Sequence, residues 1–319
     1  MNTAKIGIVA LGLTLATTAA ISQTPTWLPP AEKDRCPSKW GAADQRGSAN
    51  HVKPASILKA AQMIKTGEII ELAHVLNDKM PFFGTRRFDM HIKRTFLNQP
   101  ANKRGSNEEI VISEIGQVGT QFDGFAHQSH EDSLYNCNKI SEIAGRTGFT
   151  KLGIHQVGTI MSRGVMIDVA AYKGVATLPD TYEITVEDLE GALKKQGTTL
   201  QPGDAILINT GWHKLWAVDN ARYVKSCPGI GLGAAQWLIA KDPVLLGADN
   251  WPVEVSPNPD PMISLPVHQL ALVVHGVHLL ENLKLDDLAA KQVYEFAFMM
   301  QPMKMQGASG STVAPVAVR

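Results

Sequence analysis

Gly116-Gln117-Val118-Gly119-Thr120-Gln121-Phe122-Asp123-Gly124-Phe125-Ala126-His127 sets four polar side chains, at 117, 121, 123 and 127, on a stretch punctuated by three glycines. Glycine permits positive φ and close backbone approach, so the polar groups can converge on one point. Asp123 offers charge, His127 a ring nitrogen, and Gln117 and Gln121 offer amide oxygens. That set suits a cation or a polar ligand. By spacing alone it equally suits a polar hairpin around a satisfied core aspartate.

A second polar group lies far down the chain. Pro266-Val267-His268-Gln269 leads into an apolar run, then Gly276-Val277-His278-Leu279-Leu280-Glu281-Asn282-Leu283. Glu281 follows an apolar, strand-like stretch. A carboxylate buried there needs a cation or hydrogen-bond donors. A lone histidine such as His268 is more often a capping or core residue than a ligand. A nearby Glu and a distant Asp raise the ligand reading.

The chain has 319 residues, with 30 basic against 30 acidic. Neither a nucleic acid nor an anionic membrane surface is indicated as partner. Lys5 is the only charge before the apolar and small residues Ile6 to Ala20. With Ala19, Ala20 and Ser22 following, residues 1–22 read as a secretory signal and predict a periplasmic or secreted protein; an uncleaved anchor is the alternative. The roughly 300 residues beyond it can bury a substantial core. Cys36, Cys137 and Cys227 contain no CxxC pair, so a zinc ribbon is excluded. Two of the three can pair in an oxidising compartment, and the sequence does not say which.

Residues 23–53, with Pro25, Pro29, Pro30, Pro37, Trp27 and Trp40, read as an ordered arm, followed by one domain over 54–319. Pro54 opens a helix with Ile57, Leu58, Ala61 and Ile64 on one face. Residues 77–108 read as a long functional loop that covers the site. Strands are predicted at 68–76, 109–115, 164–169, 204–209, 243–248 and 293–300. Helices are predicted after Thr185, through a capping box with Asp188, and over 234–240. A helix running into a strand is predicted at 267–282. This alternation argues for an α/β or mixed α+β domain.

On these two motifs the chain resembles the cyclase family of metal-dependent hydrolases, the group that includes bacterial kynurenine formamidases. That family carries a His-x-Gly-Thr-His-x-Asp-x-Pro-x-His motif, then a later His about a dozen residues before the Glu of a Val-His-Ile-Leu-Glu-Asn-Leu-like strand. Thr210-Gly211-Trp212, Gly247-Ala248-Asp249 and the closing Gly307 to Pro315 also look like the family's segments. The resemblance spans roughly residues 55–319 and implies a swivelling β/β/α domain, in dimers or tetramers.

The resemblance also implies site residues. The first metal position falls on Gln117, Gln121 and Asp123, the second on Asp123, His268 and Glu281, and proton transfer on His127. Both first-position histidines are glutamines here, and the motif proline is Phe125. An amide oxygen is a weaker and harder ligand than imidazole, so one principal divalent ion is expected, manganese as readily as zinc, with a second as the alternative. The implied reaction is hydrolysis of an amide, imide, lactone or N-formyl bond of a small cyclic or aryl substrate. Phe82, Phe83, Phe122, Trp212 and Trp251 are candidate pocket walls. Arg86 and Arg87 are candidates to clamp a substrate carboxylate. The competing reading is an exported small-molecule or metal-binding protein on the same fold without catalysis. A serine hydrolase is excluded for want of a Gly-x-Ser-x-Gly elbow.

Overall fold

The computed structural model describes Met1, residues 24–95 and residues 101–319. The segment read as a secretory signal lies outside the described residues, apart from Met1. Among the described residues no helix is long and apolar enough to cross a membrane.

The centre of the molecule is one mixed nine-stranded sheet. Its strands in chain order are β1 (Ile69–Glu71), β4 (Gln121–Asp123), β5 (Ile160–Asp168), β6 (Ala205–Asn209), β7 (Leu245–Ala248), β8 (His278–Glu281), β9 (Glu295–Met300), β10 (Gly310–Thr312) and β11 (Val316–Val318). β2 (Phe88–Thr95) and β3 (Ser106–Ser113) form a separate hairpin. Across the sheet the order is β1-β11-β9-β5-β6-β7-β8-β4-β10. The four strands β5 to β8 pair in parallel, and the flanking pairs are antiparallel. A parallel centre must be covered on both faces, so its strands read as continuous apolar runs. Ala-Ile-Leu-Ile of β6 and Leu-Leu of β7 are such runs, and all are fully buried.

The two helices predicted after Thr185 and over 234–240 form. Thr185 caps α2 (Val186–Gln196), its hydroxyl accepting from the Asp188 N–H at 3.3 Å while Asp188 accepts from the Thr185 N–H at 3.2 Å. α3 (Leu232–Ile239) follows. α1 (Pro54–Ala61) exists, but its predicted face does not pack. Leu58, Ala61 and Ile64 are exposed, and the helix buries Ala60 against Ala297 and Val318. The helix lies over β5 and β9, and the small side chain of Ala60 sits in that contact.

The predicted long loop over 77–108 is corrected as well. Residues 88–95 of it form β2, paired along its whole length with β3 from Phe88↔Ser113 to Thr95↔Ser106. Alternation of Phe88, Met90 and Ile92 with Asp89, His91 and Lys93 carried that signal. Residues 77–87 remain irregular.

The arm is tied to the domain by a disulfide between Cys36 and Cys137, leaving Cys227 free and buried. Asp44 reinforces the attachment, accepting from the Tyr135 hydroxyl at 2.8 Å.

Candidate metal and active site

The glycine-rich stretch and the two C-terminal motifs meet at one end of the sheet. β4 lies antiparallel between β8 and β10, with Asp123 opposite Leu279 on one side and Gly310 on the other. The glycines act as the sequence suggested. Gly119 has φ +68°, and a Cβ on Gly116 or Gly124 would stand 2.7 Å from the carbonyl of Gly310 or Ser309. These contacts press β10 against the motif. The loop after β8 is pinned too: the Asn282 amide donates to the Gly119 carbonyl at 3.0 Å, and the Thr120 hydroxyl to the Asn282 carbonyl at 2.6 Å.

Asp123 is fully buried, and neither of its carboxylate oxygens has a hydrogen-bond partner. Its Oδ2 stands 3.9 Å from His127 Nε2 and 3.7 Å from His268 Nε2. Among the described residues, these three offer ligand atoms that all lie within 4.8 Å of one another. An unpaired buried carboxylate costs several kcal/mol of desolvation unless something charged or donating compensates it. Two ring nitrogens beside it make a nitrogen–oxygen donor set of the kind that holds zinc or manganese. The residues therefore fit a divalent cation.

Glu281 stands beside this trio. Its Oε1 lies 3.0 Å from His268 Nε2, and its Oε2 accepts from the Gln121 amide at 2.6 Å. The same amide nitrogen reaches Gln117 Oε1 at 3.3 Å. Gln121 thus spends its donor on Glu281. Burial, with Asp123 adding to it, pushes the Glu281 carboxyl up to about 7. Burial lowers the His127 imidazole, opposed by Asp123 and reinforced by His268 and Arg86, so the neutral, ligand-competent ring is favoured. For His268 burial acts downward too, but contacts with Glu254 and Glu281 outweigh it and hold its pKa well above the usual value.

A cavity of about 30 Å³ adjoins Glu281, with Gln117, Gln121, Phe83, Arg86, Tyr223 and Trp251 among its walls. Phe83 and Trp251 stack at 4.5 Å, and Arg86 donates to the Gln117 carbonyl at 3.1 Å. The irregular segment 77–87 therefore does reach the site. Three expected contacts are corrected. Phe122 and Trp212 are fully enclosed in core clusters, Trp212 donating its indole N–H to the Tyr223 carbonyl at 3.1 Å. Arg87 points to solvent beside Asp89 at 3.3 Å. Arg86 is half-buried and Arg87 exposed, so only the first of the pair enters.

Two further side chains shape the site. Phe125, at the motif's proline position, stacks on His278 at 4.1 Å and meets Tyr135 in a tilted contact at 4.4 Å. His278 Nδ1 meets the Asp123 carbonyl at 3.0 Å, and its burial depresses its pKa to about 4, so it braces β4 as a neutral ring. Glu254, not singled out from the sequence, is fully buried with its carboxylate 2.6 Å from His268 Nδ1. An acid between two valines, Val253 and Val255, was the available signal.

The family profile described as "Putative cyclase" matches residues 70–255. No curated protein matches the chain. A crystal structure of a novel cyclase is 34% identical, superposes with a TM-score of 0.80, and covers 88% of this chain and 98% of its own. Isatin hydrolase A from Ralstonia solanacearum is 20% identical, with a TM-score of 0.58 over 84% of this chain and 98% of its own. An isatin hydrolase bound to the product analogue thioisatinate is 16% identical, with a TM-score of 0.55 over 83% of this chain and 98% of its own. These last two share the fold. With more than half of its length matched by the profile and a cyclase 34% identical over nearly the whole of that structure, this chain belongs to the putative cyclase family.

Proposed function

We propose that the protein is a metal-dependent hydrolase that opens an amide, imide, lactone or N-formyl bond of a small cyclic or aryl substrate. The observation that carries this reading is the buried, unpartnered Asp123 carboxylate facing His127 and His268. Asp123, His127 and His268 would hold one divalent ion, manganese or zinc, which when bound supplies Lewis acidity toward a carbonyl oxygen and lowers the pKa of water. Glu281 borders the cavity and has no part in the trio. It takes the proton of the attacking water and returns it to the leaving amine or alkoxide. Gln121 orients it through the amide contact at 2.6 Å. Phe83 and Trp251 offer flat apolar faces to a ring, and Arg86 offers a cation to a developing or existing oxyanion. The isatin hydrolases of the same fold are consistent with a cyclic amide.

The test is direct. The protein stripped by chelator should lose hydrolysis of a panel of cyclic amides, lactones and aryl formamides, and manganese or zinc should restore it. A folded protein that holds no metal and turns over nothing with either ion overturns the reading in favour of a non-catalytic binding protein.

The chain is further proposed to be exported and to act as a homodimer or homotetramer. The signal-like start and the Cys36–Cys137 bridge support export. Met90, Ile92, Ile110, Val111 and Ile112 of the β2–β3 hairpin are exposed. A two-stranded ribbon is marginal alone, and apolar side chains on both its faces support burial against another copy. Light scattering at micromolar concentration should read at least a dimer, and Ile92→Glu with Ile110→Glu should shift it toward monomer. A wild-type monomer at that concentration contradicts the proposal.

A further inference from the structure

His268 is presented to the site from an unusual piece of chain. Leu265 adopts φ +48°, Pro266 opens a single helical turn through His268, and a π-type turn continues over Gln269–His275. The first N–H groups of such a turn have no partner within the helix. Glu254 supplies one. Its Oε2 accepts from the Val267 N–H at 3.0 Å and its Oε1 from the His268 N–H at 2.9 Å. The same Oε1 lies 2.6 Å from His268 Nδ1. One fully buried side chain thus grips both the backbone and the ring of His268.

Glu254 is itself fixed. It follows β7 in a segment that bridges in parallel to Ile230, and its own carbonyl accepts from the free Cys227 thiol at 3.6 Å. A carboxylate is an acceptor only, so the Nδ1 it faces is the nitrogen that carries hydrogen. Nε2 faces Asp123 at 3.7 Å and Glu281 at 3.0 Å, and a cation held there would take the place of any hydrogen on it.

We propose that Glu254 is the positioning residue for His268, fixing which ring nitrogen faces Asp123 and holding the ring in the plane a cation requires. The inference rests on the metal reading above. In metal sites, a carboxylate behind a ligating imidazole fixes ring orientation and raises ligand basicity, and its loss costs about 10–100-fold in metal affinity. A helix cap alone would have no use for the Nδ1 contact. A carboxylate meant only for the ring would have no need of the two backbone N–H groups. The three contacts together make the ring rigid relative to the sheet that carries Asp123.

The experiment titrates manganese and zinc into chelator-stripped wild type, Glu254→Gln and Glu254→Asp by calorimetry, and records the melting temperature of each metal-free form. Glu254→Gln keeps one acceptor oxygen, so it can serve His268 but not Val267 as well, and it lacks the charge. It should weaken binding about 10–100-fold and still fold, with a metal-free melting temperature below wild type because one buried N–H loses its acceptor. Glu254→Asp keeps the charge on a shorter arm, and should also bind more weakly than wild type. In the zinc-loaded wild type, nitrogen NMR of the His268 ring should show hydrogen on Nδ1. A wild type that binds while a folded Glu254→Gln binds as tightly overturns the inference and leaves the metal reading standing. Hydrogen on Nε2 does the same. If Glu254→Gln does not fold, a Glu254→Asp variant with wild-type affinity is the overturning result. A wild type that binds neither ion overturns the metal reading and this inference together.

Discussion

Asp123→Ala should remove the metal and lower kcat/KM by about 1000-fold or more, while the metal-free protein should melt at or above the wild-type temperature. The catalytic part follows from losing the charged group between His127 and His268. Lewis-acid stabilisation is worth several kcal/mol, and each 1.36 kcal/mol is tenfold in rate. The stability part is the sharper signature. Both carboxylate oxygens are buried without a partner. An unsatisfied buried polar group costs roughly 1–3 kcal/mol, and removing it relieves that cost. A structural aspartate behaves the opposite way, because its loss strands its partners. Metal content measured on the purified variant, with melting curves in chelator, checks both halves. A metal-free Asp123→Ala that melts far below the metal-free wild type would show the residue to be a core bracket instead.

Glu281→Gln and His127→Ala should separate chemistry from metal binding. Glu281→Gln keeps the shape and the contact with Gln121, so metal content should stay near wild type. Removal of the proton carrier should lower kcat by roughly 10²–10⁴-fold. His127→Ala should lose metal together with rate, because its Nε2 belongs to the trio within 4.8 Å. The family resemblance assigns proton transfer to His127 and ligation to Glu281. The proposed function exchanges the two roles, since Glu281 borders the cavity and is engaged by Gln121 and His268. Should His127→Ala retain its metal and lose only rate, the assignment from resemblance holds and Glu281 reverts to a ligand.

The site was partly legible before the fold. Asp123, His127, His268 and Glu281 were singled out from the two motifs, and the structure places all four together. By type, Gln117 and Gln121 offer amide oxygens as weak ligands. In the fold the Gln121 amide turns its nitrogen to Glu281. Which end of an amide faces a site depends on the neighbour it meets, and that neighbour lies 160 residues away. Phe122 and Trp212 show the same limit. Large aromatic side chains suit a pocket wall and a core equally well by composition, and only the direction of β4 and the packing around Tyr223 sent these two into the core.

What the sequence by itself determined was local or periodic. The buried parallel strands announced themselves as apolar runs, Thr185 and Asp188 as a capping box, and the glycines at 116, 119 and 124 as places of close approach or positive φ. Tertiary structure alone decided the pairing of Cys36 with Cys137, the inward turn of Arg86 against the outward turn of Arg87, and the grip of Glu254 on His268. Each of these depends on the direction a side chain takes or on a partner elsewhere in the chain. Patterning reports which residues are buried, and it is silent on what they meet once buried, because that is fixed only when the sheet brings its strands into register.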